Sequence, residues 1–496
     1  MDEQLRLLPG YLTAHLQLVL AALAAGVAVS VPLGVAAARI PLLERLSLGI
    51  ASVVQTVPSL ALLAVMVPVL AAAGLPGIGW LPAFLALWAY SALPVLRNTV
   101  IGIQGVDPSL TEAADALGMT RGQRLRAVEL PLALPVILAG IRTATVWTVG
   151  LATLSTPVGA TSLGSYLFSG LQTRNHAAIL VGCMASAGLA LALDGLVQLV
   201  ATAYARRDRT LALLATAGWA TAVVVAILPL IGSRSTEHSV VIGAKTFTEQ
   251  YILAEVLAAT VSSAGATPDV RASLGSTVAF DALVAGEIDA YVDYSGTLYA
   301  TVLRRDTPSD RGRVLEEVRA ELRDRHGIEV VASLGFENTY ALAMRRDRAA
   351  GARRIGDLGD RAGTMTVGGD YEIFGRPEWR AVRAAYGLAF AAERAMDPSL
   401  MYAAVATGDV DIITAFSTDG RIGAYDLVVL QDDRGAVPPY DALVLVGPRL
   451  AREHPAVVDA LRGLEGTIDA DTMRRLNRRV DEDGLDPAAA AHEVGP

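Results

Sequence analysis

Apolar and polar positions follow two different rhythms along the chain, and the change falls at about residue 238. Before it, apolar runs recur at 12–38, 48–73, 81–103, 132–154, 177–203 and 211–231, each long enough to cross a bilayer as a helix. The pattern predicts six spans. After residue 238, short β-rich runs alternate with helical stretches. VVIGA at 240–244 reads as a strand, 248–263 as a helix, DVRASL at 269–274 as a strand, 277–285 as a helix and IDAYVDY as a strand. The rhythm recurs in a middle segment at 346–436, with strands at 364–369 and 410–416, and the tail from 443 returns to strand and helices. Such βαβ alternation predicts a parallel sheet flanked by helices, in two α/β lobes with a ligand cleft between them.

Composition agrees with a chain that is part membrane and part aqueous. Of its 496 residues 53% are hydrophobic, and mean hydropathy is +0.43. Residues 1–237 carry 13 basic and 10 acidic side chains, against 28 and 40 in 238–496. An acidic second half argues against nucleic acid as the partner. The single cysteine, Cys183, lies in an apolar run and excludes a disulfide framework or cysteine metal cluster.

Between the third and fourth spans lies a polar interruption, EAADALGMTRGQRLRAVELPLALPVILAGIR at 112–142. Alanine favours helix, Gly118 and Gly122 break it, and Arg121, Arg124 and Arg126 place positive charge beside the membrane. The segment predicts a helix lying flat at the inner face. With it inside, the Arg-bearing connections 39–45 and 206–209 also fall inside, and the uncharged Gly/Pro turn 74–80 falls outside. The acidic half then faces the exterior. Asp2, Glu3 and Arg6 precede a run too long for a signal peptide, so the N-terminus is expected to be retained.

Ionisable groups within spans require partners. Asp194 and Arg142 lie at depths of roughly 13 to 15 Å at helical rise, and they are expected to pair. Arg97 is a rival partner, and snorkelling to water is the alternative.

Candidate chemistry is concentrated in the second half. Lys245 is the only lysine beside 40 arginines and sits where a strand turns into a helix, a cleft-edge position. Ten of the 14 tyrosines lie there too, among them Tyr291, Tyr294, Tyr340 and Tyr402. Aromatic faces in an acidic cleft suit a cation that cannot donate hydrogen bonds, such as a quaternary ammonium; packing in a core is the other role open to each. No Gly-x4-Gly-Lys-Ser/Thr occurs, so this chain is not expected to hydrolyse ATP. The six histidines are scattered, with His238, His326 and His454 read as surface residues, and no metal-ligand spacing or catalytic Ser/His/Asp elbow is present.

Two resemblances organise these features. Glu112, Ala113 and Ala114, with Gly118 four residues on and a following Leu-Pro, resemble the coupling loop by which permease subunits of bacterial ABC importers grip their ATPase. The segments IGAKTFTEQYILAE, GEIDAYVDYSGT, ENTYALA, AFSTDGRI and DLVVLQDDRGAVPPYDA resemble the osmoprotectant-binding proteins for glycine betaine, choline, carnitine and related amines. The chain thus resembles a fused permease and substrate-binding protein. The fold this implies is an α-helical membrane domain of the type I ABC importer permease class joined to a type II, two-lobed α/β domain like the periplasmic binding proteins. The permease would take residues 1–205, with the coupling loop at about 108–131. A sixth span and linker would take 206–237, and the binding domain 238–496, with lobe 1 at 238–343 and 440–496 and lobe 2 at 344–439. The resemblance places an aromatic cage on Tyr294, Tyr340, Tyr402 and Phe416, where a tyrosine is usual at the last position. It places donors for a ligand carboxylate on Lys245, Thr297, Asn338 and Arg376, with Gln250 and Asp419 as further candidates; Arg376, in YEIFGRPEW, is a donor or a surface residue. It implies that ATP is bound by a separate ATPase subunit, that the chain itself is no enzyme, and that it acts as a homodimer at the bacterial plasma membrane. Expected ligands are glycine betaine, choline, carnitine and proline betaine, with ergothioneine or another bulky betaine as the alternative. A membrane-anchored sensor of the same amines would have no need of the further spans or the coupling loop, and an ion-driven carrier would need an internal repeat and buried acids.

Overall fold

A computed structural model describes residues 2–173, 175–232, 239–305 and 310–494; His238 and the rest of 233–238 lie outside these. The chain divides into two compact units, residues 1–168 with 177–236 and residues 169–176 with 237–496.

The first unit is helical: α1 (Asp2–Ala37), α2 (Pro41–Thr56), α3 (Ser59–Ala72), α4 (Trp80–Gln104), α5 (Pro108–Ala116), α6 (Arg121–Arg124), α7 (Leu130–Ala152), α8 (Gly164–Gln172), α9 (His176–Arg206) and α10 (Arg209–Gly232). Among the described residues five helical stretches are each long and apolar enough to cross a membrane. The expected span at 48–73 differs. It is the pair α2 and α3, bent by 102° at Val57-Pro58, and only as a pair does it make a sixth crossing. Proline removes a donor and pushes the residue before it out of the helical region; Val57 accordingly sits at φ −71° and ψ 129°. The Tyr90 hydroxyl donates to the Val57 carbonyl freed by the bend, and Gln55 donates to the Tyr90 carbonyl at 3.2 Å. In an apolar medium this is how a broken helix keeps its backbone satisfied.

Helices α1, α4 and α7 pack closely because glycine faces each seam. A Cβ on Gly34 would stand 2.7 Å from the Thr99 Cβ, and one on Gly140 would stand 2.6 Å from the Pro94 carbonyl oxygen.

The second unit holds β1 (Ser239–Lys245), α11 (Thr248–Ser263), β2 (Thr267–Leu274), α12 (Ser276–Ala285), β3 (Ala290–Tyr294), α13 (Ser295–Thr301), α14 (Arg311–His326) and β4 (Glu329–Glu337). The chain then crosses to β5 (Tyr340–Arg345), α15 (Arg346–Ala349), β6 (Thr366–Gly369), α16 (Pro377–Tyr386), β7 (Ala392–Ala395), α17 (Pro398–Thr407), β8 (Ile412–Phe416), α18 (Arg421–Ala424) and β9 (Leu427–Leu430). It returns through β10 (Asp441–Val446) and ends in α19 (Pro448–Glu453), α20 (Pro455–Arg462), α21 (Ala470–Asp481) and α22 (Pro487–Ala491). Two five-stranded sheets result, ordered β2-β1-β3-β10-β4 in lobe 1 and β7-β6-β8-β5-β9 in lobe 2, so that 340–343, expected in lobe 1, belong to lobe 2 as the start of β5.

The sheets are mixed rather than parallel. Strands joined through a helix run parallel, as β1 does with β2 and with β3. The crossing strands run against them: β10 pairs antiparallel with β3 and β4, and β5 with β8 and β9. A chain that leaves one lobe and re-enters it arrives from the opposite end, which the alternation of strand and helix alone does not reveal.

Candidate functional site

The two lobes meet in a group of aromatic rings. From lobe 1 come Phe247, in the turn between β1 and α11, and Tyr294, at the end of β3; from lobe 2 come Tyr340, opening β5, and Phe416, closing β8. Phe247 lies parallel to Phe416 with centroids 6.5 Å apart and stacks on Tyr294 at 6.1 Å, while Tyr340 is 5.1 Å from Phe416. Tyr440, at the return crossing, meets Tyr340 edge-on at 6.0 Å. Tyr294 and Phe416 come from the C-terminal ends of their strands, and Tyr340 opens antiparallel β5 directly opposite Phe416, so these rings reach the same cleft.

Polar groups surround this cluster. The Tyr340 hydroxyl donates to Asp370 at 3.1 Å, and the Arg376 guanidinium stands over the Tyr340 ring at 5.7 Å. Arg376 Nη2 bonds Glu372 at 3.1 Å, whereas buried Nη1 lies 3.7 Å from the Glu378 carboxylate, an ion pair without a hydrogen bond among the described residues. That nitrogen keeps a donor hydrogen unused beside an aromatic face, although two carboxylates already stand near the guanidinium. Gln250 donates to the Tyr294 hydroxyl at 3.2 Å. Asn338 directs its amide nitrogen to Glu249 at 3.0 Å and leaves its amide oxygen unpartnered. Thr297 is half-buried in the first turn of α13, just beyond Tyr294.

Three expected site residues take other places. The Lys245 ammonium is buried and bonded to Asp293 at 2.5 Å, with Tyr291 donating to the other Asp293 oxygen at 2.6 Å. Its charge is met within lobe 1 rather than offered to a ligand. Tyr402 is fully buried on α17, stacked 4.1 Å from the Arg421 guanidinium, and its hydroxyl accepts the Phe416 N–H at 3.2 Å. It lies behind Phe416, bonded to its backbone, rather than among the converging rings. Asp419 is bonded by Arg421 through both oxygens, at 2.8 and 2.5 Å, which leaves it no vacant charge for a ligand.

Sequence reasoning missed Glu249. It lies in the first turn of α11, where the helix dipole favours an anion, yet it is buried and takes four side-chain donors. Tyr294 and Asn338 donate to Oε1, and Thr418 and Asn477 donate to Oε2. Burial pushes its carboxyl up from the ordinary value, and the four donors offset this only in part. Burial, together with the neighbouring Glu249 carboxylate, likewise holds the Tyr294 phenol well above its usual range. Phe247 and Glu249 stand within IGAKTFTEQYILAE, so an aromatic and an acid at a helix start were the available signal; Asn477, on α21, carried none.

In the helical unit Arg142 and Asp194 form the expected pair, with two bonds of 2.8 Å. The 112–142 segment is less continuous than a single flat helix. Asp107 caps α5, Gly118 turns the chain at φ +77°, a Thr120–Gln123 capping box starts α6, and a π-helical turn at Leu125–Glu129 leads into α7. Glu112, Ala113 and Gly118 are exposed and Ala114 is buried. Buried Glu129 anchors the arrangement, accepting from Arg39 and, at 2.9 Å, from Arg124, which also reaches Asp115 at 2.6 Å.

Residues 238–493 match the family model described as the substrate binding domain of an ABC-type glycine betaine transport system. Residues 30–239 match that of the inner membrane component of binding-protein-dependent transport systems. The chain is 28% identical over 451 residues to the ergothioneine transport permease/ergothioneine binding protein of Helicobacter pylori, covering 88% of this chain and 80% of that one. It is 43% identical over 180 residues to the glycine betaine/carnitine/choline transport system permease protein of Bacillus subtilis, covering 36% of this chain and 80% of that one. A solved glycine betaine/carnitine/choline ABC transporter structure aligns with 51% of this chain and 96% of its own, at 30% identity and a TM-score of 0.47. Both family matches are to transport proteins, and the permease match implies a partner ATPase and a small ligand. With its apolar helices, this makes the chain a multi-pass protein of the bacterial membrane whose binding domain is extracytoplasmic. The chain belongs to the family of ABC-type glycine betaine transport proteins, as an importer subunit in which the membrane permease and the osmoprotectant-binding domain are one polypeptide.

Proposed function

We propose that this subunit captures a small carboxylate-bearing quaternary amine, such as glycine betaine, carnitine or proline betaine, and passes it to its own membrane helices. One observation carries the reading: rings from both lobes, Phe247 and Tyr294 against Tyr340 and Phe416, converge within 5.1 to 6.5 Å, with the Arg376 guanidinium over the Tyr340 ring and its Nη1 still without a hydrogen bond among the described residues. Aromatic faces attract a trimethylammonium group, which offers no hydrogen to a hydrogen bond. Arg376, shared with Glu372 and Glu378, supplies the donor for a ligand carboxylate, with the Thr297 hydroxyl as a neutral companion. The names of relatives that transport glycine betaine, carnitine and choline support this ligand class. Choline, which has no carboxylate, is the weaker ligand in this reading.

ATP is bound by a separate ATPase subunit that docks on the cytoplasmic side against Glu112, Ala113, Ala114 and Gly118, and two copies of this chain form the pore. Residues 1–205 act as the permease, 206–237 as a sixth span and linker, and 238–496 as the binding domain. Beside the coupling helix lies a groove of about 1550 Å³ that runs up along the sixth span to Trp219; its outer end, at Leu110, Ala113 and Leu117, is the part within reach of a cytoplasmic ATPase.

The test is calorimetric titration of the full chain in lipid nanodiscs with glycine betaine, carnitine, choline and ergothioneine. Losing a charge-assisted hydrogen bond costs about 1.5–3 kcal/mol. Arg376→Gln should therefore weaken glycine betaine and carnitine by roughly 10- to 100-fold and leave choline nearly unchanged. Equal weakening of all three would remove Arg376 from the carboxylate site. Binding of ergothioneine alone would move the reading to a bulkier betaine, the ligand for which the Helicobacter pylori relative is named.

A further inference from the structure

Glu249 makes bonds that the reading above does not require. Its Oε1 atom receives the Tyr294 hydroxyl, from the lobe 1 side of the cage, and Asn338, from the first crossing between the lobes. Its Oε2 atom receives Asn477, from α21, and Thr418, from the turn that leaves β8 in lobe 2. Thr418 is two residues beyond Phe416, so whatever holds Thr418 also holds the strand end that presents the lobe 2 wall. The grip is double, because Asn477 Nδ2 donates to the Thr418 carbonyl at 2.9 Å as well. The turn also lies directly on α21: a Cβ on Gly420 would stand 2.4 Å from the Arg478 backbone.

The residue type fits this role. Four donors converge on two oxygens, and the amide oxygens of Asn338 and Asn477 are both unpartnered, so each asparagine directs its nitrogen to Glu249. Only a carboxylate takes four donors without turning a donor of its own toward one of them.

We propose that Glu249 is a positioning residue for ligand capture, the buried fastener by which lobe 2 is held closed and Tyr294 and Phe416 are brought to the same ligand. The proposal rests on the cleft being the ligand site. Opening the lobes withdraws Thr418 from both of its partners together, so closure is gained or lost as one step.

The test uses the full chain in nanodiscs, with Cys183→Ser and spin labels on Arg319→Cys of α14 and Arg380→Cys of α16, both exposed positions. Distances between the labels are measured by pulsed electron resonance with and without glycine betaine, alongside dissociation rates. Thr418→Val and Glu249→Gln should lose the short interlobe distance and release ligand at least ~10-fold faster. Gly420→Ala, which removes no hydrogen-bonding group, should wedge the turn off α21 and give the same signature. The unliganded unfolding midpoint of Thr418→Val should stay within about 2 °C of the parent. Retained short distances with unchanged dissociation would overturn the proposal, as would a lowered midpoint with unchanged distances, the mark of a merely structural bond. If the parent binds no quaternary amine, the cage reading fails, while the ligand-free distances still decide whether Glu249 and Thr418 hold the lobes together.

Discussion

The helical unit and the binding unit handle their buried and half-buried acids differently. Among spans, Asp194 meets Arg142 and Glu129 meets Arg39 and Arg124, each acid facing full positive charge. Between lobes, Glu249 meets two hydroxyls and two amides. A carboxylate opposite arginine is deeply favoured in one geometry and costly to separate. One held by neutral donors can exchange them for water or for one another at small cost each. The binding unit follows the same division internally, since Lys245 and Asp293 pair within lobe 1, where nothing needs to part. In these pairs charge meets charge where the structure stays fixed, and neutral donors serve where two surfaces must separate, although neutral donors also hold buried Asp370 within lobe 2.

Breaking the fixed side should give the largest effect. Asp194→Asn leaves Arg142 without its counter-ion in a span, a cost of about 3 kcal/mol on insertion scales. Recovery of folded protein from the membrane should fall sharply, and Arg142→Leu with Asp194→Leu should restore it. Intact assembly and transport in Asp194→Asn would sink the pairing as a structural requirement. Glu129→Ala is expected to come next: with Arg39 and Arg124 released from a buried partner, a loss of about 3–5 kcal/mol, ATP-driven uptake should drop at least ~10-fold. Calorimetric ligand binding should be unchanged. An equal loss in binding would mean that the coupling segment is not separable from the receptor function.

The smallest effect sharpens the other side of the contrast. Glu249 has its carboxyl raised by burial above the 4.5 of an ordinary glutamate. A raised carboxyl binds its proton more tightly folded than unfolded. The stability it contributes is therefore fully present below the unfolded value and is lost as pH rises through the folded one. Urea unfolding of the full chain, followed by Tyr fluorescence from pH 4.5 upward, should show this gentle decline, and Glu249→Gln should flatten it. A decline that persists in Glu249→Gln would assign the slope to other groups.

Much of the architecture was legible in the chain itself. Long apolar runs marked the spans, and 248–263 was bounded as a helix because β-rich segments flank it on both sides. The bend inside 48–73 was not, since Val57-Pro58 sits in an unbroken apolar run and its stabilising partner, Tyr90, lies 33 residues on. Of the residues expected at a ligand site, Tyr294, Tyr340, Phe416 and Arg376 lie near one another in the cleft. Glu249 was not foreseen, because its donors lie 45, 89, 169 and 228 residues away in sequence. Periodicity reports on neighbours along an element, and such a cluster exists only once two crossings and a returning helix are in place.

The placement of Lys245 has a practical consequence. Its amine is the only one any lysine of this chain can present, and it is enclosed under lobe 1 against Asp293. An amine-reactive ester added to the native protein should leave this side chain untouched, and modification there would be a signature of lobe 1 coming apart. The chain carries its own chemical gauge of unfolding, and immobilisation or cross-linking through lysine will fail on the intact molecule.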